Sequence, residues 1–191
     1  MSQAMERGRG DPAGRSYEGA GAMLALCLCL TASVAAQEVR EGPAVGDTVP
    51  KFTLFDADGR QRRLRDIKEP VIVLNLWAFW CDTWIAQLPQ LRELAAQQDL
   101  LNFRLLAISV DGMWTDQLKA VCGSEGAPFP LLIDRRKRLS RQLRLRRVPT
   151  IIVLNRERKI TYVHEAYPGN LGVLQAIREA ASAKAAPDGT D

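Results

Sequence analysis

The sequence predicts a single α/β domain, a central mixed sheet flanked by helices, and three observations carry that prediction. Residues 71–78, VIVLNLWA, form an unbroken apolar run rich in β-branched side chains, the pattern of a strand buried on both faces. Immediately after it Trp84, Leu88, Leu91 and Ala95 recur at helical spacing, so a strand feeds directly into an amphipathic helix. A second buried strand, LNFRLLAISVD, follows and is closed by Asp111-Gly112, and strands alternating with helices at this spacing imply parallel pairing with right-handed crossovers. At 191 residues and 47% hydrophobic, the chain can bury one sizeable core and is too short for two ordinary domains.

The remaining elements follow in order. KFTLF, the turn DADG and RQRRLRDI read as an N-terminal β-hairpin, with Asp58-Gly59 the turn signal. Pro70 precedes the central strand. The helix after Cys81 is expected to run to about Gln98, bent at Pro89, which removes one backbone hydrogen bond. Thr115 to Val121 reads as a helix stopped by Gly123, and FPLLID as a short strand. The run from Arg135 to Arg147 then carries eight Lys or Arg in thirteen residues, with Leu139 and Leu143 turned inward from a short helix. Thr150 to Leu154 and Ile160 to Val163 form an antiparallel hairpin, and Leu171 to Ala180 closes the domain. Residues 48–180 are thus the expected domain, after a lead-in at 37–47 and before a tail at 181–191.

Residues 19–36 carry no charge, and AMLALCLCL followed by TASVAA reads as an export signal cleaved near Ala36-Gln37. An uncleaved membrane anchor through residues 19–36 is the rival, although a span so diluted with small residues is marginal. Either one implies a periplasmic or otherwise extracytoplasmic address. Cleavage removes Cys27 and Cys29 and leaves Cys81 and Cys122, in a compartment where disulfides persist. Two separated cysteines and the single histidine, His164, do not make a four-ligand zinc site, so no metal and no cofactor are expected.

Cys81 falls where the first strand ends and its helix begins. Unpaired helix N–H groups there favour a thiolate, while the neighbouring Asp82 disfavours it. A free cysteine is equally a small buried hydrophobe. The run LNLWAFWC, Pro89 eight residues past the cysteine, and Val148-Pro149-Thr150 together resemble the TlpA/ResA-like branch of the thioredoxin superfamily, extracytoplasmic thiol-disulfide oxidoreductases related to the redoxins. The resemblance spans roughly residues 42–180 and implies a thioredoxin-like fold with the hairpin covering one edge.

In that family a second thiol three residues after the first resolves the mixed disulfide. Here that position is Trp84, the residue before it, often proline in the family, is Thr83, and the family's acidic residue falls on Gln87. Asn75 stands where some thioredoxins carry a buried aspartate, as is common in the resembled branch. Self-contained dithiol turnover is therefore absent, and Cys122, expected at the opposite pole of the sheet, is read as structural. The resemblance also implies that the proline of Val148-Pro149 is cis and that its backbone faces Cys81. Trp80, Trp84, Val148, Pro149 and Thr150 are then candidates for a substrate groove, with filling of the space left by altered packing the equal alternative for Trp84; Trp77 is assigned to the core, and Trp114 is a further candidate for the groove.

Three functions fit these residues. One is monothiol exchange at Cys81, through mixed disulfides with a protein or small-molecule thiol. The second is a non-catalytic groove that holds an extended peptide against Val148. Peroxide reduction at Cys81 is the third, and the Thr-x-x-Cys pattern that would favour it is missing. The basic run lacks stacking aromatics, so nucleic acid is not an expected partner.

Overall fold

The computed structural model describes residues 41–56, 58–112 and 127–183. The expected export signal, Cys27, Cys29, the helix at Thr115 to Val121, Trp114, Cys122 and the tail from 184 lie outside the described residues. Strands β1 (Thr53–Asp56) and β2 (Gln61–Arg63) form the hairpin, and β3 (Val71–Trp77) leads into helix α1 (Asp82–Ala95). A short α2 (Gln98–Leu101), β4 (Phe103–Ser109), β5 (Leu131–Ile133) and α3 (Arg138–Gln142) follow, then β6 (Thr150–Leu154), β7 (Ile160–Glu165) and α4 (Asn170–Ser182).

The strands lie in the order β2-β1-β5-β4-β3-β6-β7. Strands β3, β4 and β5 are parallel, and β1, β6 and β7 join antiparallel, so the expected mixed sheet is present. Every residue of β3 is buried because both its faces are covered. Val71, Val73 and Trp77 pack with Leu91 and Leu94 of α1 and Ile177 of α4, while Ile72, Leu74 and Leu76 pack with Leu54, Leu139 and Leu143. Period-2 alternation along β3 thereby feeds two separate cores. Asn75, the one polar residue of that strand, falls on the α1 side.

Asp56 organises the hairpin turn. Its carboxylate accepts the N–H groups of Asp58 and Arg60 at 3.1 and 2.8 Å and the Arg62 guanidinium at 3.0 Å. Burial alone would raise its pKa; the backbone N–H of Arg60 and the charge of Arg62 outweigh that and hold it below the ordinary carboxylate value.

Helix α1 stops at Ala95 rather than continuing to Gln98. Gln98 instead turns its amide inward, where Oε1 accepts the Leu105 N–H at 2.8 Å, and Asn102 takes the left-handed conformation that sends the chain into β4. At the far end of β4, Gly112 has φ +73°, and a Cβ there would lie 2.9 Å from the Arg135 carbonyl oxygen, so only glycine fits.

Candidate functional site

Cys81 is the N-cap residue of α1, with extended backbone at φ −97° and ψ 95°. A tight turn delivers it from β3: the Cys81 N–H donates to the Ala78 carbonyl at 3.0 Å, and the Cys81 carbonyl accepts the Trp84 N–H at 3.0 Å. The thiol is half-buried and unbridged. Its Sγ lies 2.9 Å from the Thr83 hydroxyl and 3.8 Å from the Val148 carbonyl oxygen.

Val148 reaches the thiol because β6 pairs beside β3, with Thr150 opposite Leu76, which brings the start of β6 to the end of β3 where α1 begins. The Val148–Pro149 peptide bond is cis. Pro149 is buried, and its carbonyl accepts the Ala166 N–H at 2.7 Å. Thr150 is also buried and donates its hydroxyl to the Arg147 carbonyl at 2.7 Å. Its side chain therefore braces the loop from within and offers nothing to a groove, contrary to the sequence expectation. Trp80 does face solvent, at 71% exposure.

Of the two readings of Trp84, groove residue and space-filling residue, the structure shows the second. Trp84 is 1% exposed and part of the core, with its ring stacked on Trp77 at a centroid distance of 3.7 Å and an interplanar angle of 10°. Its indole N–H donates to Asn75 Oδ1 at 3.2 Å. The reason is the apolar stripe of α1: position 84 shares the face of Leu88 and Leu91, which packs on the sheet. Where a second sulfur would stand, the protein has an aromatic core anchor. Gln87, at the family's acidic position, keeps its Oε1 buried without a hydrogen-bond partner among the described residues.

Asp111, which the sequence marks only as the end of a strand, belongs to the site. Its carboxylate accepts the Phe79 N–H at 2.6 Å and the Ser109 hydroxyl. It thus holds the turn that presents Trp80 and Cys81. The Asp-Gly pair gave a signal for a turn, but a bond spanning 32 residues leaves no local trace. His164 is exposed on β7, opposite Ile151. Among the described residues no cluster of three or more His, Cys, Asp or Glu could hold a metal, and no helix is long and apolar enough to cross a membrane.

Residues 45–163 match the model of the AhpC/TSA family. The chain belongs to that family. Its relatives include the thiol-disulfide oxidoreductase ResA of Geobacillus thermodenitrificans, 29% identical over 61% of this chain and 67% of that protein. ResA of Bacillus subtilis is 24% identical over 65% of this chain and 69% of its own length. Among solved structures, a thiol:disulfide interchange protein DsbE from Chlorobium tepidum superposes with TM-score 0.62 at 23% identity, covering 72% of this chain and 98% of that one. The exposed lipoprotein thioredoxin Etrx1 of Streptococcus pneumoniae gives TM-score 0.59 at 27% identity, covering 68% and 99%. The fold is thioredoxin-like, and the resemblance to the TlpA/ResA-like branch that LNLWAFWC, Pro89 and Val148-Pro149-Thr150 carry is borne out. This AhpC/TSA family member is a thioredoxin-like relative of the thiol-disulfide oxidoreductases in which Trp84 stands three residues after the cysteine.

Proposed function

We propose that this protein is exported and acts through one thiol, Cys81, by forming and releasing mixed disulfides with a protein or small-molecule partner. The observation that carries this reading is the position of Cys81 Sγ: at the N-cap of α1, beside the Val148 carbonyl, with a buried tryptophan at position 84. Helix N-termini favour negative charge, and the Thr83 hydroxyl at 2.9 Å can donate to the sulfur.

The chemistry balances without a second protein sulfur. The Cys81 thiolate attacks one sulfur of a disulfide R–S–S–R′; the new Sγ–S bond forms as the S–S′ bond breaks, and R′–S⁻ leaves with the electron pair and takes a proton from solvent. An external thiolate then attacks the partner's sulfur in the mixed disulfide and expels Cys81 as a thiolate. The net reaction is exchange of one disulfide for another. The uncharged stretch at residues 19–36 supports export, and the similarity to Etrx1, an exposed lipoprotein, agrees with it.

A second reading has its own support. Trp80 and Ile85, one residue before and four residues after Cys81, expose apolar surface at 71% and 43%, and could hold an extended peptide against Val148 without covalent chemistry. Incubating the reduced protein with oxidised glutathione separates the two. Monothiol exchange gives one glutathione adduct on Cys81, released by a thiol reductant and lost in Cys81→Ser. A folded protein whose Cys81 takes no adduct and no alkylating agent leaves only the binding module. An adduct-free Cys81 that is oxidised by hydrogen peroxide and rescued by thiol would favour peroxide reduction instead.

A further inference from the structure

On the face of the sheet away from α1, strands β1 and β5 part company. Their pairing covers only Phe55 with Ile133 and Asp56 with Leu132. Beyond Ile133 the chain turns off through Asp134 toward α3, so the entry to β1 has no strand on that side. A groove of about 610 Å³ opens between it and α3.

The backbone of β1 presents a free edge to this groove. The Asp56 N–H bonds to the Arg60 carbonyl and the Leu64 N–H to the Phe52 carbonyl, so residues 52, 54 and 56 direct their polar groups at β2. Alternation sends those of Thr53 and Phe55 the other way. Phe55 meets Ile133; Thr53, which is exposed, meets the groove. The floor is apolar, made by the buried Phe52, Leu54 and Leu139.

The rim is cationic. Lys51, Arg135, Arg136 and Arg138 line it, and among the described residues none of the four is in an ion pair, whereas Arg146 and Arg147 of the same basic run are paired with Glu41 and Glu165. The Arg135 guanidinium is set over the Phe55 ring, 5.6 Å from its centroid. Asp134 is the one acid in the lining, and it is spent: its carboxylate accepts the N–H groups of Arg138 and Ser140 and the Ser140 hydroxyl. Four cations around an apolar floor and an open strand edge call for a ligand that is extended, negatively charged and partly apolar. A flat lipid surface would not reach the floor.

We propose that this groove binds an extended acidic peptide segment of a partner protein, added as a strand at Thr53. Its carboxylates lie on the Lys51, Arg135, Arg136 and Arg138 rim, and alternate apolar side chains lie on the floor. The groove lacks Cys81, so it stands or falls separately from the thiol chemistry.

The test uses the full chain and a fluorescent acetylated peptide alternating Glu and Val, followed by anisotropy. Binding is expected, weakening with added salt. The variant R135E/R136E/R138E should bind at least about tenfold more weakly, three opposed charges replacing three attractive ones. Thr53→Pro, which removes the N–H, should weaken binding with the rim intact, and Cys81→Ser should bind like the parent. If Thr53→Pro does not give the parent's circular dichroism, the charge-reversed variant alone decides. Equal binding of a Lys/Val peptide, undiminished binding by the charge-reversed variant, or binding of phosphatidylglycerol vesicles in place of the peptide would overturn the proposal.

Discussion

Replacing Trp84 by cysteine rebuilds the dithiol spacing after Cys81, and the structure says what that change does first to stability. The indole is 1% exposed and stacked on Trp77, and its N–H donates to Asn75 Oδ1 on the central strand. Truncating a buried tryptophan costs about 3–5 kcal/mol through lost transfer energy and the cavity left behind. Stranding the Asn75 carbonyl oxygen adds about 1 kcal/mol or more. Against a total stability of about 5–15 kcal/mol, that is a large fraction. Trp84→Phe is the control, because it keeps an aromatic ring near Trp77 and loses the N–H; it should cost roughly 1–3 kcal/mol, mostly through Asn75. Urea unfolding of the reduced proteins, followed by circular dichroism, gives both values. A loss under about 1 kcal/mol for Trp84→Cys would refute the assignment of Trp84 as a core anchor. If the variant remains folded, it should reduce a model disulfide faster than the parent does, since a second thiol can then resolve the adduct.

Other predictions follow from the same structure. Asp111→Ala removes the acceptor for the Phe79 N–H and the Ser109 hydroxyl, and should destabilise by about 1–3 kcal/mol and change the alkylation rate of Cys81, while Trp80→Ala at an exposed position should stay within about 0.5 kcal/mol of the parent. Gly112→Ala forces a side chain into a left-handed backbone against the Arg135 carbonyl, and should lower stability by about 1–3 kcal/mol by urea unfolding. Asp56 and Glu69 are both held below the ordinary carboxylate value. For Glu69, burial pushes upward and the Arg104 hydrogen bond outweighs it. A depressed folded value means stability present above the unfolded value and lost as pH falls through the folded one. Urea midpoints should therefore drop below about pH 4, and Asp56→Asn should flatten that drop.

Much of the frame was legible from residue patterns. The two-sided run at 71–77, the helix that carries Pro89 within it, the Asp58-Gly59 hairpin and the inward Leu139 and Leu143 all rest on local periodicity or turn chemistry, and each appears in the structure. Trp84 was open to two readings, groove residue or member of the stripe with Leu88 and Leu91, and the stripe prevailed because a helix face packed on a sheet leaves no other direction for that side chain. Thr150 looked like part of a groove because it adjoins Pro149, but strand alternation turns its hydroxyl inward to Arg147. The early end of α1 and the hold of Asp111 on the cysteine turn depend on single side chains bonding to distant backbone. Gln98 reaches Leu105 and Asp111 reaches Phe79, and neither partner is marked by spacing.

The central claim is that one sulfur, Cys81, does whatever covalent chemistry this fold retains. Peptide mapping by mass spectrometry of protein isolated without reductant tests it most directly. Cys81 is expected as a free thiol or as a mixed disulfide with another molecule, the latter released by reductant. Cys81 found joined to Cys122 in the native chain, with that bond exchanging with added thiols, would contradict it.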